Sequence, residues 1–397
     1  MKLAMVITLL IISSDVFSQV RVTTWGDSWE QVEETINDLE FENIMAEVFG
    51  LDTYEFTDRL ILRNTAQLNN GDTTAKIVYN GENVIIFLNK SESSEYMKDA
   101  DFYNRMNDYM DASIRLEEDL SSNEPEINDE LIRVHALNQT MNWTYKEINR
   151  VSEIVIEAQN KIKHNYPNIL SDTLYLIKTS GDEEFDAYYT IKNAIIVPKK
   201  ETKLLWIKPR KEEVIGTYVH ELSHIFTRNN TDIRRLLYEI VGFEEVEKFR
   251  LPKELKNRLI TNPDLHGDNL AIELRDSLGK SNLYTLLITS KYDTYVGKKG
   301  VVGQINTLFG YKELGLYEID SEGIVLSERN NLNNNFFDRI GTISNYYFGA
   351  DEVIAEAFRV LIKIQDEQMD NQPNFEKIKN QRNREILMSI SKLLTGL

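Results

Sequence analysis

The sequence predicts an α+β fold, because strand-like and helix-like hydrophobic patterns alternate along it. Short apolar runs rich in β-branched residues occur at 73–90 and 173–208, and both predict strands. Val214–Phe226 then places apolar residues at helical spacing, and a second helical pattern occupies 351–369. At 397 residues, the chain is long enough for two or three domains with a sizeable core.

Residues 1–18 have the pattern of a secretory signal peptide. Lys2 precedes the apolar run Leu3–Ile12, and Phe17-Ser18 marks a cleavage edge. A membrane-spanning helix needs roughly 20 apolar residues, which neither this run nor any other stretch supplies. We therefore expect a secreted protein without a membrane span, either extracellular or, in a host with an outer membrane, periplasmic.

Composition bears on partners and on redox chemistry. The formal net charge is −19 and the sequence pI is near 4.9, so we expect no binding to nucleic acid or to anionic membranes. The chain has no cysteine, so disulfides cannot stabilise it. Its stability must come from the hydrophobic core and from any bound metal.

Residues 19–128 are predicted to form an N-terminal accessory domain. Asn80-Gly81 lies between two strand-like runs and predicts a hairpin turn. A helical stretch, Glu95–Leu120, leads into Ser121–Asn128, a polar segment with a proline that is typical of a linker. No constellation of chemical side chains occurs here. The region could bind substrate, support the structure or act as an inhibitory pro-segment.

Residues 129–397 are predicted to form the second domain. An amphipathic helix, Asn142–His164, precedes strand-like runs at Thr173–Lys178, Ala187–Val197 and Lys203–Lys208, which together indicate a small mixed sheet. Residues 229–345 contain glycine-rich and asparagine-rich stretches, and we expect a mainly helical insertion there. A final helix is expected at Asn374–Leu394.

The helical pattern at 214–226 contains the sequence H-E-x-x-H. His220 and His224 are four positions apart, about one helical turn, so both imidazoles lie on one face and can bind one ion. The surrounding apolar residues indicate a buried helix, in which two histidines need partners. The pattern predicts a Zn²⁺ site in which Glu221 is the general base toward a zinc-activated water.

A third zinc ligand must come from elsewhere in the chain. Glu244 and His266 are two candidates downstream of the motif. The helix at 351–369 offers Glu352 and Glu356, four residues apart and therefore on one face, beside apolar residues. Carboxylates beside a buried face are costly unless they are paired or bind a metal, which favours this helix.

Two segments resemble a known family. HELSH and SNYYFGADEVIAEAFR are similar to the gluzincin family of anthrax lethal factor and the secreted Pro-Pro endopeptidases, whose second motif ends A-E-A-F-R. The resemblance implies a zincin-like catalytic domain in which Glu352 is the third zinc ligand and Glu356 hydrogen-bonds a ligand histidine. It also implies a tyrosine that stabilises the oxyanion, with Tyr346 and Tyr347 both near the family's position.

The sequence thus predicts a secreted zinc-dependent endopeptidase that acts on protein or peptide substrates. An edge strand within Ala187–Val197 is expected to hold the extended substrate by β-augmentation. The family joins its two motifs by a much shorter segment, so the inserted residues are expected on the rim of the cleft. The alternative is a non-catalytic, secreted binding or toxin-associated protein with a degenerate zincin domain.

Overall fold

The computed structural model describes residues 76–397, with gaps at 101–102, 104, 107, 203–209, 267–268, 276–278, 298–309 and 367–374. Two β-sheets and their flanking helices organise these residues, which confirms the predicted α+β class. The predicted signal peptide, the accessory-domain residues before 76 and the predicted strand at Lys203–Lys208 lie outside the described residues.

The first part of the described chain forms a six-stranded mixed sheet with helices around it. The strands are β1 (Lys76–Asn80), β2 (Asn83–Phe87), β3 (Thr140–Met141), β4 (Thr173–Thr179), β5 (Tyr189–Ile191) and β6 (Ala194–Pro198). The helices are α1 (Lys90–Lys98), α2 (Tyr109–Leu116), α3 (Pro125–Asn138), α4 (Tyr145–Asn165) and α5 (Lys199–Thr202). The strand order is β1-β2-β4-β6-β5, and β3 pairs with β4.

Local sequence explains the first hairpin of this sheet and the start of a helix that connects its parallel strands. β1 and β2 form an antiparallel hairpin, as predicted, and Gly81 in its turn has φ +64°, which glycine adopts without strain. β2, β4 and β6 then run parallel, so helices must carry the chain back between them. One of these is α4, which begins at a capping box between Thr144 and Glu147.

The six-stranded sheet is buried on both faces. In β6, Ile195 and Val197 belong to the main hydrophobic core, whereas Ala194 and Ile196 face a second core beneath α1 and α3. This alternation is the two-residue period of a strand, and apolar residues at every position match burial of both faces. The sheet is therefore a rigid base for the helices that follow it.

The second part of the chain contains six helices and five strands among its described residues. The helices are α6 (Lys211–Asn229), α7 (Thr231–Ile240), α8 (Lys253–Lys256), α9 (Asn334–Ile340), α10 (Ala350–Asp366) and α11 (Gln381–Thr395). The strands are β7 (Glu244–Glu245), β8 (Leu270–Arg275), β9 (Ser281–Ser290), β10 (Lys312–Ile319) and β11 (Val325–Asn330). Helix α6 packs between α4 and α10 and also contacts β5 and β6.

The predicted helical insertion at 229–345 is wrong in its main feature. Its described residues form a five-stranded antiparallel sheet in the order β11-β10-β9-β8-β7, with only short helices beside it. The longest strand, β9, has half-buried residues in its first part and mostly buried ones at its end, and its burial does not alternate cleanly. A strand without clear two-residue alternation gives a weak sequence signal, which explains the error.

The predicted domain division at residue 128 passes through one sheet in this structure. β2, from the predicted accessory domain, pairs with β4 of the predicted catalytic domain. The predicted linker also differs, because α3 begins at Pro125 within it. Within the part of the chain that the structure describes, no helix is both long enough and apolar enough to cross a bilayer.

Candidate metal centre

Helices α6 and α10 bring the predicted ligands together although the two helices are far apart in sequence. His220, Glu221 and His224 lie in α6 with relative exposures of 9%, 4% and 1%, and Glu352 lies in the first turn of α10 with 2%. The two helices pack directly against each other through the main hydrophobic core. Burial of such polar side chains is costly unless they have hydrogen-bond or metal partners.

Three atoms converge at one point between these helices. The Nε2 atoms of His220 and His224 are 3.1 Å apart, and Oε2 of Glu352 lies 3.1 Å from the first and 3.7 Å from the second. Among the described residues, this is the group of side chains suited to hold a metal ion. Tetrahedral zinc with bonds of about 2.0–2.1 Å holds its ligand atoms about 3.3 Å apart, so the spacing fits that ion.

The hydrogen bonds around His220 favour a cation at this point. Its Nδ1 lies 3.0 Å from Oε1 of Glu356, an oxygen that also accepts from Nη1 of Arg359 at 3.2 Å. A carboxylate can only accept, so Nδ1 carries a proton, and an unprotonated Nε2 would present its lone pair to Glu352. Two facing lone pairs repel each other unless a proton or a cation lies between them.

Burial and the close packing of charged groups in the cluster shift the pKa values of its side chains. Burial lowers the pKa of His220, but the Glu352 and Glu356 carboxylates outweigh it and raise that pKa well above its ordinary value. Burial raises the pKa of Glu352, but hydrogen bonds with His220 and His224 hold it well below the ordinary value. For His224, burial is opposed by the charges of Asp264 and Glu352, and its pKa is raised.

Glu221, the residue after His220, is buried and has a raised pKa. Its Oε2 atom is buried and has no hydrogen-bond partner within the described part of the chain. Burial, together with the nearby charge of Asp264, raises its pKa to about 8. A carboxylate that is buried without a partner has a strong tendency to take up a proton.

The two candidate tyrosines lie in different surroundings. The ring of Tyr346 lies 6.1 Å from the ring of His220 and remains 41% exposed. Tyr347 instead packs against Phe337 at 5.3 Å, on the side of the main core. The Glu352 charge holds the pKa of Tyr346 well above its ordinary value, so its hydroxyl stays protonated and can donate.

The two alternative third ligands lie outside the cluster. Glu244 is exposed and pairs in β7 with β8. The ring of His266 is 6.4 Å from that of His224, and its Nε2 atom is buried without a hydrogen-bond partner among the described residues. His266 therefore borders the site, whereas Glu352 supplies the carboxylate that meets both imidazoles.

Sequence reasoning missed a loop that covers the cluster. Nδ2 of Asn262 donates to Oε1 of Glu352 at 2.5 Å, and the backbone N–H of Asp264 donates to Oδ1 of Asn262 at 3.0 Å. Asn262 and Asp264 are both buried. The turn-forming sequence N-P-D at 262–264 was the available signal, but it gives no indication of what the turn contacts.

The predicted edge strand is present as β5, but its outer edge is occupied. The N–H of Thr190 donates to Oδ1 of Asp264 at 2.8 Å, and its carbonyl accepts from Nη2 of Arg228 at 3.2 Å. β6 pairs with the other edge of β5. A peptide strand could therefore add at Thr190 only after these two bonds open.

Comparisons with protein-family models, curated proteins and solved structures gave no match for the chain. The interpretation of the site therefore depends on its own geometry and chemistry.

Proposed function

We propose that the protein is a secreted zinc-dependent endopeptidase. The observation that carries this proposal is the convergence of His220, His224 and Glu352 at spacings suited to zinc, with Glu221 next to the first histidine in the same helix. Secretion rests on the predicted signal peptide at 1–18. The combination of two imidazoles, one carboxylate ligand and one adjacent carboxylate base is typical of metal-assisted peptide hydrolysis.

Each side chain has a defined role in this proposal. Zinc, when bound, would polarise the scissile carbonyl and lower the pKa of a water molecule to about 7. Glu221 takes the proton from the attacking water and passes it to the leaving amine. Glu356 keeps Nδ1 of His220 protonated, and so directs its Nε2 lone pair into the cluster.

Tyr346 is the residue that would meet the developing negative charge. It is the tyrosine beside His220, and its partial exposure leaves it open to a substrate. A single donor to an oxyanion contributes about 3 kcal/mol of transition-state stabilisation. Tyr347 has no such role in the proposal, because it packs toward the core.

The rival function is a non-catalytic binding protein with a degenerate zincin domain. Such a protein has no need for a buried, unpartnered carboxylate beside the metal ligands, because that group costs stability. Glu221 is buried and its Oε2 atom has no hydrogen-bond partner among the described residues, which favours an enzyme.

The test is the substitution Glu221→Gln, with Glu212→Gln as a matched control at an exposed position of the same helix. We expect the first variant to keep its zinc but to lose about 10²–10⁴-fold in the rate of casein or peptide-library cleavage. The control should cleave at the wild-type rate, and a chelator should stop both active proteins. Wild-type cleavage by Glu221→Gln, or no cleavage by the zinc-loaded wild type, would contradict the proposal.

A further inference from the structure

The carboxylate of Glu352 is shared between two partners. Its Oε2 atom faces the imidazoles, and its Oε1 atom accepts the hydrogen bond from Nδ2 of Asn262. Asn262 is 8% exposed and Glu352 is 2% exposed, so water does not compete strongly for this bond. A hydrogen bond to a buried charged group is among the stronger ones in proteins.

The orientation of the Asn262 amide follows from its second hydrogen bond. Its Oδ1 atom accepts from the backbone N–H of Asp264, so the NH₂ group must be the end that faces Glu352. A carboxylate can only accept, so in this orientation both ends of the Asn262 amide have a suitable hydrogen-bond partner.

The loop that carries Asn262 is held at both of its ends. The backbone N–H of Thr261 donates to Oδ2 of Asp111 at 3.0 Å, and its carbonyl accepts from Nη2 of Arg115 at 2.8 Å. At the other end, the N–H of His266 donates to Oδ2 of Asp351 at 3.1 Å, in the first turn of α10. The loop thus connects the region of α2 to the helix that carries the third ligand.

We propose that Asn262 is a positioning residue that keeps Glu352 a ligand through Oε2 alone. This inference rests on the proposed zinc site. With Oε1 held by Asn262, the carboxylate occupies one coordination position instead of two, and a fourth position stays open, as a catalytic zinc requires. The inserted segment therefore contributes directly to the metal centre.

The test uses Asn262→Ala and Asn262→Asp. The second variant keeps the size of the side chain and an acceptor for the Asp264 N–H, but it replaces the donor that faces Glu352. The exposed Asn168→Ala is the control. Zinc affinity is measured by competition with a chelator, and the visible absorption spectrum is recorded at saturating Co²⁺. Thermal unfolding of each protein verifies that it is folded.

We expect both Asn262 variants to bind zinc about 10–100-fold more weakly than the wild type. Their cobalt spectra should also change in shape and intensity, because a loss of stability alone would not alter the geometry around a saturating metal. If the alanine variant does not fold, the aspartate variant supplies the readout. Wild-type affinity and a wild-type cobalt spectrum in the folded Asn262 variants would overturn the inference while the proposed function stands. A wild-type protein that binds no zinc would instead overturn the proposed function.

Discussion

His220 is held through both of its ring nitrogens. Nδ1 lies 3.0 Å from Glu356 and Nε2 lies 3.1 Å from Glu352, so two residues of one helix fix a single imidazole in the facing helix. Glu356 is in turn paired with Arg359, which is on the same helix. A ring fixed in this way cannot rotate freely, so its Nε2 atom stays directed toward Glu352.

Glu183 is a second buried acidic residue, away from the proposed metal ligands, and the effect of its burial on stability can be tested by one substitution. Glu183 is 4% exposed and accepts a hydrogen bond from Tyr189 at 3.4 Å, beside a small cavity also lined by His135. Burial raises its pKa from 4.5 to about 7. Ionisation of this side chain is therefore unfavourable in the folded protein.

The raised pKa of Glu183 makes stability fall as pH rises. Below about pH 4.5 the Glu183 side chain is protonated in both the folded and the unfolded state. Between about pH 4.5 and 7 it ionises only in the unfolded state, so the folded state loses stability as pH rises. Above pH 7 this loss of stability is constant. Glu183→Gln cannot ionise. Its free energy of unfolding relative to wild type should rise from near zero below pH 4.5 to about 3 kcal/mol above pH 7.

Urea unfolding at several pH values, with chelator present so that metal binding does not contribute, measures this difference. A difference between variant and wild type that does not change with pH would show that Glu183 is not the buried acid described above.

At the scale of elements, the site depends on the packing of α6 against α10. The rings of Phe226 and Phe358 lie 6.0 Å apart across this interface, and Phe358 is 1% exposed. Their contact lies within the main core, next to the turns that carry His224 and Glu356. Any change in helix separation here shifts the ligands relative to each other.

Phe358→Ala should destabilise the protein by about 3–5 kcal/mol, because it removes a buried ring and leaves a cavity. Phe358→Leu, which keeps most of the volume, should cost about 1–2 kcal/mol. Urea unfolding of metal-free proteins measures both. Nearly equal effects of the two substitutions would indicate that this contact does not set the helix separation.

The sequence predicted those elements whose hydrophobic period is strong. The α10 pattern was expected at 351–369 and the helix spans Ala350–Asp366, while the strand expected at Thr173–Lys178 is β4. H-E-x-x-H predicted the pairing of His220 with His224, because residues four positions apart in a helix lie on one face. These features are local, so a single sequence contains enough information for them.

The features that were missed depend on tertiary contacts. The bond between Asn262 and Glu352 joins residues 90 positions apart through an irregular loop, and no periodic pattern encodes it. The choice between Tyr346 and Tyr347 depends on the direction of the chain just before α10, where adjacent side chains point to opposite environments. The sheet at 244–330 was missed because its strands are only partly buried.

At the scale of the whole described structure, one hydrophobic core connects the two sheets with the helices that carry His220, His224 and Glu352. The main core includes Leu174 of β4, Ile272 of β8 and Ile354 of α10. The inserted segment is therefore packed into the same core as the helices that carry the ligands. Binding of zinc at the junction should stabilise all of these elements together, since a ligand that binds only the folded state opposes unfolding.

We propose that residues from two helices distant in sequence bind one zinc ion, and the zinc content of the protein tests this directly. The wild type and the variants Glu352→Ala and Glu244→Ala are loaded with zinc, dialysed against zinc-free buffer and subjected to elemental analysis. Glu244 is exposed in β7 and lies outside the cluster, so its variant is the control. We expect about one zinc per molecule in the wild type and in Glu244→Ala, and far less in Glu352→Ala. A wild type without zinc, or a folded Glu352→Ala variant that keeps its full zinc content, would contradict the account.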